Sequence, residues 1–524
     1  MLFNSYIFIF LFLPFTCLIY FFIARTKGGE NAIVFLVLAS LFYYAWWDAK
    51  YLVLMLFSIF VNYYIGEAIV RGHNLNNQLK MKMLLFLGLV FNIGLLSYFK
   101  YASFFIENFN FVFGSNVPEN KIILPLAISF FTFQQIAYLI DSYKGITKEF
   151  KFFHYLLFVT FFPQLIAGPI VHHKEMLPQF LRLENLKPNF NNIIIGLSIF
   201  TLGLFKKVIL ADSVAQYATP VFDNSVINDS ITFLVAWGGA LAYTFQLYFD
   251  FSGYSDMAIG IALMFGVTLP LNFNSPYKSL SIIEFWRRWH MTLSRFLRDY
   301  IYITLGGNRK GVVRRYGNLL ITMLLGGLWH GAGWTFVLWG GFHGILLIIN
   351  HSWHHFKFLM KLDFLDQSSL WRILCWIITF FAIVNSWVLF RAENFTSALN
   401  IYQGMYGLNG VAIPNALLAR MGGVSNIISE YGITSYLGGG MDFVFTYLWV
   451  LFLLLIIFMP NTQQFMQNFL SYGYSQKGTL LNSGILSDII IFRYGMLWAF
   501  ILSILLVFSI FGLTRVSEFL YFQF

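Results

Sequence analysis

The sequence predicts an all-α protein that crosses a lipid bilayer many times. Hydrophobic residues make up 58% of its 524 positions and charged residues only 11%, whereas soluble domains carry about a quarter charged residues. Apolar runs of roughly 20 residues, the length that spans a bilayer, recur from one end of the chain to the other. Because unpaired backbone groups are costly in hydrocarbon, runs of this length and continuity are predicted to be helices rather than barrel strands.

By their length, the apolar runs predict about 11 to 13 transmembrane or re-entrant helices. They occupy 3–23, 31–45, 51–70, 83–105, 122–140, 152–171, 191–210, 229–249, 317–328 with 334–350, 371–390, 443–459 and 493–511. The first run precedes Arg25 and Lys27 and lacks a small-residue cleavage site, so we expect a retained helix rather than a removed signal peptide. No linker-like segment or internal repeat divides the sequence, and residues 1–524 are therefore predicted to form a single domain.

The basic residues indicate contact with a membrane surface. The formal net charge of +10 comes from 33 lysines and arginines against 23 acidic residues, and the basic residues are scattered through short loops. This scatter argues against nucleic acid as a partner and favours membrane lipids with anionic headgroups. Cys17 and Cys375 lie in apolar segments, and no zinc-ligand spacing occurs, so we expect neither a disulfide framework nor a metal site. No permanently bound cofactor is expected.

Residues 250–316 depart from the apolar pattern because they are rich in ionisable side chains and aromatics. Ionisable groups at membrane depth are kept mainly where they face a bundle interior or a wet cavity, so this stretch is predicted to line a cavity. The alternative is that 274–316 is an amphipathic segment at the cytoplasmic interface, with its arginines on lipid phosphates. A second stretch, 401–442, is rich in glycine and asparagine and is predicted to be a loop.

The sequence from Glu284 to Tyr302 places a histidine among arginines. On a single helix, Arg287, His290 and Ser294 would share one face. A second stripe would contain Arg288, Arg295, Arg298 and Tyr302, with Arg295 paired to Asp299. Because arginine binds phosphate in bidentate fashion, these arginines are predicted to bind a nucleotide-bearing acyl donor. His290 is a candidate catalytic group, although a lone interfacial histidine is more often structural.

A further histidine, His330, lies in the chargeless segment Leu324–Trp334, where flanking glycines leave room for a substrate. An imidazole in such a segment is disfavoured as a cation, and the neutral form is the one that a general base needs. The alternative is a packing histidine bonded to a neighbouring carbonyl. His343, further along the same apolar run, is predicted to be structural or to support the site.

The motif Tyr248–Asp256 places two carboxylates and several hydroxyls between apolar runs. Buried carboxylates need partners, and Arg287, Arg288 and Arg295 are the expected ones. Gly253 would permit a break in the helix. We interpret Asp256 as part of an ion-pair lock, while a lock and a reaction cavity both remain open for Asp250. The side chains assigned to substrate or donor binding, besides the four arginines, are Asp250, Ser252, Trp286 and Trp329.

Several motifs occur together and in one order along the chain. They are Tyr248–Asp256, Asn272–Tyr277, Glu284–His290, Leu297–Tyr300, Gly306–Arg309 and Gly327–Gly331, with Phe42–Trp47, Tyr98–Tyr101, Ile166–Pro169, Phe390–Asn394 and Tyr521–Phe524 outside this core. In this combination the sequence resembles the membrane-bound O-acyltransferase family over nearly its whole length. The likeness is greatest to the bacterial branch that O-acetylates alginate and peptidoglycan, and weakest at 401–442 and 461–490.

The resemblance implies roles for both histidines. The family's catalytic histidine, in a Trp-His-Gly motif, corresponds to His330, and its second histidine corresponds to His290. It also implies a funnel-shaped or tunnel-containing helical fold, with a catalytic core at approximately 120–400. The expected activity is transfer of an acetyl group from a cytoplasmic thioester, with acetyl-CoA as cosubstrate, to a cell-envelope polysaccharide across the bacterial inner membrane.

A partner protein is also expected. The resemblance implies a periplasmic or membrane-anchored hydrolase-like protein, and this sequence has no Gly-x-Ser-x-Gly elbow with a plausible triad. Two other functions remain open: a transporter or flippase without chemistry, and an acyltransferase that modifies lipid or protein with a long-chain donor. By the positive-inside rule, Arg309–Arg315 should be cytoplasmic, and His330 should lie near mid-membrane, reachable from both sides.

Overall fold

In the computed structural model, residues 1–118, 122–147, 151–180, 182–228, 230–470, 491–514 and 520 are described. Within them the chain is mainly helical and has only two short strands, which confirms the all-α prediction. The α-helices are α1 Leu13–Lys27, α2 Gly29–Ala45, α3 Ala49–Asn74, α4 Gln78–Leu96, α5 Ala102–Phe113, α6 Ile128–Tyr143, α7 Phe152–Thr160, α8 Phe162–Leu165, α9 His173–Phe180, α10 Phe190–Phe205, α11 Asp212–Asn224, α12 Phe233–Met264, α13 Ile282–Arg288, α14 Met291–Phe296, α15 Val312–His330, α16 Trp334–Leu359, α17 Ser369–Arg391, α18 Phe395–Met405, α19 Asn415–Leu418, α20 Val424–Glu430, α21 Gly440–Phe458, α22 Thr462–Phe465, α23 Gln467–Leu470 and α24 Met496–Gly512.

Shorter elements interrupt or join these helices. The π-helical segments are Phe8–Phe12, Ser97–Tyr101, Lys206–Ala211 and Leu297–Tyr302, and the 3-10 turns are Leu183–Leu186, Pro276–Lys278 and Asp363–Gln367. Two strands, β1 Ala412–Pro414 and β2 Thr434–Tyr436, pair in parallel with Ile413 opposite Ser435. The predicted loop at 401–442 therefore contains this small sheet with α19 and α20, and it also takes in the end of α18.

Six stretches of described helix are long and apolar enough to cross a membrane. They are Phe8–Lys27, Ala49–His73, Gln78–Phe113, Phe190–Asn224, Ser369–Arg391 and Gly440–Phe458. This number is smaller than the count from hydropathy because several predicted runs form shorter helices. The run at 152–171 is divided around Pro163, and α2 and α24 have only 17 residues each. The motif Tyr521–Phe524 lies outside the described residues, and so does 471–490, the greater part of the stretch 461–490.

The longest helix, α12, runs through the centre of the protein. It has 32 residues, and nearly all of them from Gly238 onward are buried. A Cβ atom on Gly253 would lie 2.7 Å from the carbonyl oxygen of Gly203, and one on Gly260 would lie 2.5 Å from that of Gly196. These glycines therefore let α10 and α12 pack backbone to backbone. The break that Gly253 would permit does not occur, because α12 continues through it.

The outer helices expose apolar side chains instead of polar ones. Leu18, Phe22, Phe86, Leu455 and Phe511 are each at least 66% exposed. Soluble proteins rarely expose apolar surface on this scale, whereas a lipid-facing perimeter requires it. The chain is accordingly a multi-pass membrane protein, with polar groups concentrated inside.

Candidate active site

His330 is the last residue of α15, and aromatic rings enclose its imidazole. The ring centroids of Trp329, Trp339 and Phe390 lie 4.8, 5.2 and 5.1 Å from that of His330. Only 8% of the residue is exposed. Gly331 follows in an extended conformation, and a Cβ atom there would lie 2.1 Å from the ring of Phe336. The glycine in the Trp-His-Gly motif therefore makes room for this aromatic wall.

His290 lies between two short helices and not within one. Its backbone is left-handed, with φ of 42°, and it separates α13 from α14. The predicted continuous helix with Arg287, His290 and Ser294 on one face is therefore wrong. This break turns the imidazole inward, where its ring centroid lies 6.5 Å from that of His330. The two histidines of the predicted site are thus brought together by the fold.

A buried amide fixes the orientation of His290. The Nδ1 atom of His290 lies 3.0 Å from Oδ1 of Asn272, which also accepts a 2.9 Å hydrogen bond from the Thr292 hydroxyl. The Nδ2 group of Asn272 donates to Ser255 at 3.3 Å, which sets the orientation of the amide. Since an amide oxygen only accepts, Nδ1 carries the imidazole proton, and Nε2 is left as the acceptor.

The same network joins two other motifs to the histidines. The hydroxyl of Thr292 accepts a hydrogen bond from the backbone N–H of Ile170 at 3.1 Å, directly after the Ile166–Pro169 motif. The backbone N–H of Met291 donates to the carbonyl of Asn272 at 2.9 Å. Sequence reasoning missed the role of Asn272, whose only signal was its place in a polar motif following α12.

Trp329 lies directly against the histidines, whereas Trp286 lies one ring further away, next to Trp339 and His343. The ring of Trp329 stacks on Phe133 with a centroid distance of 5.1 Å. The indole of Trp286 donates to Nδ1 of His343 at 3.3 Å, and its ring lies 5.9 Å from that of Trp339. His343 is thus a buried partner of a site tryptophan.

A cavity of about 1830 Å³ opens beside this aromatic group. Its lining brings together Trp286, Arg287, Arg288, Arg295 and Arg298, as predicted for a cavity within 250–316. His330 is not part of the lining. The cavity follows α15 as far as Met323, which is seven residues before His330, or roughly 10 Å at the rise of an α-helix.

Three of the four arginines at the cavity have carboxylate partners. Arg288 pairs with Glu284 at 2.8 Å, Arg295 with Glu175 at 2.9 Å, and Arg298 with Asp299 at 2.7 Å. The predicted pair of Arg295 and Asp299 is therefore wrong. Arg287 is exposed and forms no ion pair with any residue that the structure describes.

Behind the pair of Arg295 and Glu175 lies a second polar cluster. The hydroxyl of Tyr300 donates to Asp141 at 3.1 Å and lies 3.2 Å from Nδ1 of His172. Burial, and then the charge of Arg295, lower the pKa of His172 to about 4. This histidine is therefore neutral at physiological pH and supports the cavity wall without adding charge.

The carboxylates of α12 lie away from the cavity and have lysine partners. Asp250 pairs with Lys207, which also pairs with Asp212 at 2.7 Å. Asp256 pairs with Lys206 at 2.7 Å. The predicted arginine partners are wrong, because the π-helical segment Lys206–Ala211 packs against this face of α12 and supplies the lysines that pair with both carboxylates.

Asp256 also holds a distant segment of the chain. It accepts hydrogen bonds from the side chains of Thr462 and Gln463 at 2.7 and 2.8 Å, in agreement with its interpretation as a lock. Ser252 is buried, and its hydroxyl has no hydrogen-bond partner among the described residues. Neither Asp250 nor Ser252 lines the cavity, so the structure does not bring these two predicted binding residues to it.

One charged residue at the site escaped the sequence analysis. Lys100 lies in the π-helical segment Ser97–Tyr101, and its Nζ donates to the carbonyls of Trp329 and His330 at 2.6 and 3.1 Å. A lysine inside the apolar run 83–105 was the available signal, since an intramembrane charge is a functional hypothesis by default.

The arrangement suits proton transfer in a dry pocket. It combines two imidazoles, an aromatic enclosure and an adjacent arginine-bearing cavity. Among the described residues, no cluster of His, Cys, Asp and Glu has the geometry of a metal site. A neutral imidazole can take a proton from a hydroxyl, and arginines at the cavity can bind an anionic molecule.

Comparison with known proteins identifies the family to which the chain belongs. The sequence model of the membrane-bound O-acyltransferase family matches residues 142–390. A peptidoglycan O-acetyltransferase of Helicobacter pylori is 49% identical, over 79% of this chain and 81% of its own length. A probable alginate O-acetylase AlgI of Azotobacter vinelandii is 40% identical, over 83% of this chain and 86% of its own.

A more distant relative covers part of the chain. A teichoic acid D-alanyltransferase of Streptococcus thermophilus is 30% identical over 51% of this chain and 68% of its own length. The matched family region contains both histidines and all four cavity arginines. The protein belongs to the membrane-bound O-acyltransferase family.

Proposed function

We propose that this protein transfers an acetyl group from a cytoplasmic thioester, acetyl-CoA, towards a hydroxyl of a cell-envelope polysaccharide. The observation that carries the proposal is the meeting of His290 and His330, whose ring centroids are 6.5 Å apart beside an arginine-bearing cavity. Residues 1–524 act as one unit, with the catalytic core at approximately 120–400. The protein resides in a bacterial inner membrane.

His330 acts as the general base. Its neutral imidazole accepts the proton of the attacking hydroxyl as the hydroxyl oxygen forms a bond to the thioester carbonyl carbon. The carbon–sulfur bond then breaks, and the leaving thiolate takes the proton back from the imidazolium. His290, held by Asn272 in the tautomer that carries its proton on Nδ1, orients the attacking hydroxyl.

The arginine side of the cavity receives the donor. Coenzyme A carries several phosphates, and arginine is the side chain best suited to bind them. Arg287 is exposed at the cavity and is the first contact, while Arg288, Arg295 and Arg298 keep their carboxylate partners or exchange them for phosphate. Trp286 packs against the acyl-bearing end of the donor, on the path towards Trp339 and His330.

The acceptor is a polysaccharide of the cell envelope. The relatives are named for peptidoglycan, alginate and teichoic acid, which are envelope polymers with hydroxyl groups. Because acetyl-CoA and such polymers lie on opposite sides of the inner membrane, a second protein is needed to complete delivery. We propose a periplasmic or membrane-anchored hydrolase-like partner for this step.

A turnover assay tests the proposal. Purified protein in nanodiscs, given acetyl-CoA alone, should release free CoA and acetate slowly, because water takes the place of the acceptor hydroxyl. His330→Ala should lower this rate by about 10² or more, the scale of general-base catalysis. His355→Ala is the matched control, because His355 is exposed at the far end of α16 and should leave the rate unchanged. Free CoA is quantified by mass spectrometry.

Each alternative has a distinct outcome in this assay. A wild-type protein that releases no CoA while it moves a lipid or glycan between leaflets would be a transporter. An active His330→Ala variant would remove His330 from the chemistry. Faster turnover of palmitoyl-CoA than of acetyl-CoA would indicate lipid or protein acylation with a long-chain donor.

A further inference from the structure

Lys100 holds the end of the helix that carries His330. Its Nζ lies 2.6 Å from the carbonyl oxygen of Trp329, 3.1 Å from that of His330 and 3.4 Å from the hydroxyl of Ser129. It also lies 5.9 Å from the centre of the Trp329 ring. Apart from the contact with Ser129, which belongs to α6, these contacts join the stretch Gln78–Phe113 to the last turn of α15, just before the glycine of the Trp-His-Gly motif.

Lys100 is unusual because a lysine is rarely found in an apolar helical stretch. It lies within Gln78–Phe113, which is long and apolar enough to cross a membrane. A charge there is strongly disfavoured unless it has partners, and no carboxylate among the described residues pairs with Lys100. Its partners are backbone carbonyls at the end of α15. The fold therefore places this part-buried lysine where its amine donates to the end of α15.

The end of α15 needs such a partner. The last four carbonyls of an α-helix have no partner within the helix, and the aligned peptide dipoles make this end negative. The hydroxyl of Tyr101 donates to the carbonyl of Leu328 at 2.7 Å, so two consecutive residues cap three consecutive carbonyls. Because Gly331 leaves the helix in an extended conformation, no following turn supports His330.

The π-helical segment explains why both caps reach the same helix end. A π turn shifts the faces of the helix that follow it, and such turns frequently occur at functional sites. In Ser97–Tyr101 it places Lys100 and Tyr101 side by side towards α15.

We propose that Lys100 is a positioning residue, which anchors the last turn of α15 and so fixes the imidazole of His330 relative to the bound thioester. This inference rests on the proposed role of His330 as general base. Lys100 acts through the backbone carbonyls of Trp329 and His330 and touches neither substrate. A misplacement of about 1 Å can lower a catalytic rate about 10²-fold, so the anchor bears directly on turnover.

Two variants and one control test the anchor. Lys100→Met keeps the length and apolar stem of the side chain but cannot donate, whereas Lys100→Arg keeps the charge and the donors. Tyr101→Phe is the matched control, because it removes the cap on Leu328 and leaves the contacts of Lys100 in place. For each protein we would measure kcat and KM with acetyl-CoA, and backbone hydrogen exchange in a peptide covering 324–334.

The expected result has two parts. Lys100→Met should lower kcat by about 10 to 10²-fold with the donor KM unchanged, because the cavity arginines are untouched, and it should speed exchange in the last turn of α15. Lys100→Arg should restore most of both properties, and Tyr101→Phe should change kcat less than Lys100→Met does. If Lys100 were only structural, Lys100→Met would not lower kcat selectively, and Lys100→Arg would not restore it.

Two results would contradict the proposal that Lys100 anchors the last turn of α15. Unchanged exchange at 324–334 in Lys100→Met, or faster exchange with unchanged kcat, contradicts it. If Lys100→Met does not fold, Lys100→Gln, which retains a neutral donor, decides by the same two measurements. Failure of the proposed function is distinguishable, because then the wild-type protein itself releases no CoA while hydrogen exchange still reports on the anchor.

Discussion

At the scale of single residues, the site depends on groups that orient the histidines. His290 owes its inward position to a left-handed backbone, a conformation that is strained for a residue other than glycine. Asn272 then fixes which nitrogen carries the proton. Strain of this kind persists only where the surroundings over-determine it, and it clusters at functional sites. The network around Asn272 supplies that support.

Arg287 should contribute more to donor binding than its ion-paired neighbours do. Arg287→Gln should raise the KM for acetyl-CoA by about tenfold, the value of one hydrogen bond to a charged group, and leave kcat unchanged. Arg298→Gln is the matched control, because Arg298 already pairs with Asp299 and a smaller rise is expected. Steady-state kinetics with varied acetyl-CoA measures both. An unchanged KM in both variants would instead assign this stretch to lipid headgroups.

At the scale of elements, close helix contacts and π-helical segments determine where the site residues lie. Three of the four π segments carry a charged group used by the core or the cavity: Lys100, Lys207 and Arg298. The extra residue of a π turn changes the helix face on which the following side chains lie. Lys100 thereby reaches the end of α15 and Lys207 reaches Asp250, whereas Arg298 stays exposed at the cavity. The contact between α10 and α12 then keeps Lys207 against Asp250.

The contact at Gly253 should be sensitive to a single methyl group. In Gly253→Ala the new Cβ would lie 2.7 Å from the carbonyl oxygen of Gly203, and overpacking of this kind destabilises by about 1–3 kcal/mol. Gly317→Ala in α15 is the control, because no atom lies within 4 Å of its Cβ. The apparent midpoint of thermal unfolding in detergent should fall for the first variant only. Equal midpoints would mean that α10 and α12 can move apart at Gly253 without loss of stability.

The same element scale shows what the sequence could and could not predict. Spacing and resemblance predicted that His290 and His330 belong to one site and that the arginines line a cavity. The fold places the two rings close together and the arginines at a cavity, since these signals are local runs of residue types. The partners of Asp250 and Asp256 were mispredicted because the packing of α10 on α12 determines which basic side chains lie next to them. That packing cannot be read from any single stretch of the sequence. Lys100 was overlooked for the same reason, as its importance lies in the carbonyls it meets across the fold.

At the scale of the whole molecule, α12 separates two ends of the protein. The backbone N–H of Phe233, at its start, donates to the carbonyl of Gly410 at 3.0 Å. Gly266 and Thr268, just beyond its end, line the cavity. A helix of 32 residues is roughly 48 Å long at 1.5 Å per residue. The loop around Gly410 and the arginine-bearing cavity therefore lie at opposite ends.

This separation predicts a topology that can be tested by labelling. In a background without Cys17 and Cys375, Leu408→Cys should react with an impermeant maleimide in intact spheroplasts. Lys310→Cys should react only after lysis, because basic loops remain in the cytoplasm. Leu408 is 75% exposed, so access is not limiting there. The reverse pattern would place the cavity outside and contradict a cytoplasmic donor.

The aromatic enclosure of His330 should limit hydrolysis, the side reaction that competes with acyl transfer. A thioester beside a general base is open to attack by water, and every such event wastes a donor molecule without modifying any acceptor. With Trp329, Trp339 and Phe390 around the imidazole and the cavity ending near Met323, bulk water has little access to the base. Under the proposed function, a bound thioester should therefore lose its acetyl group to water only slowly while the acceptor is absent.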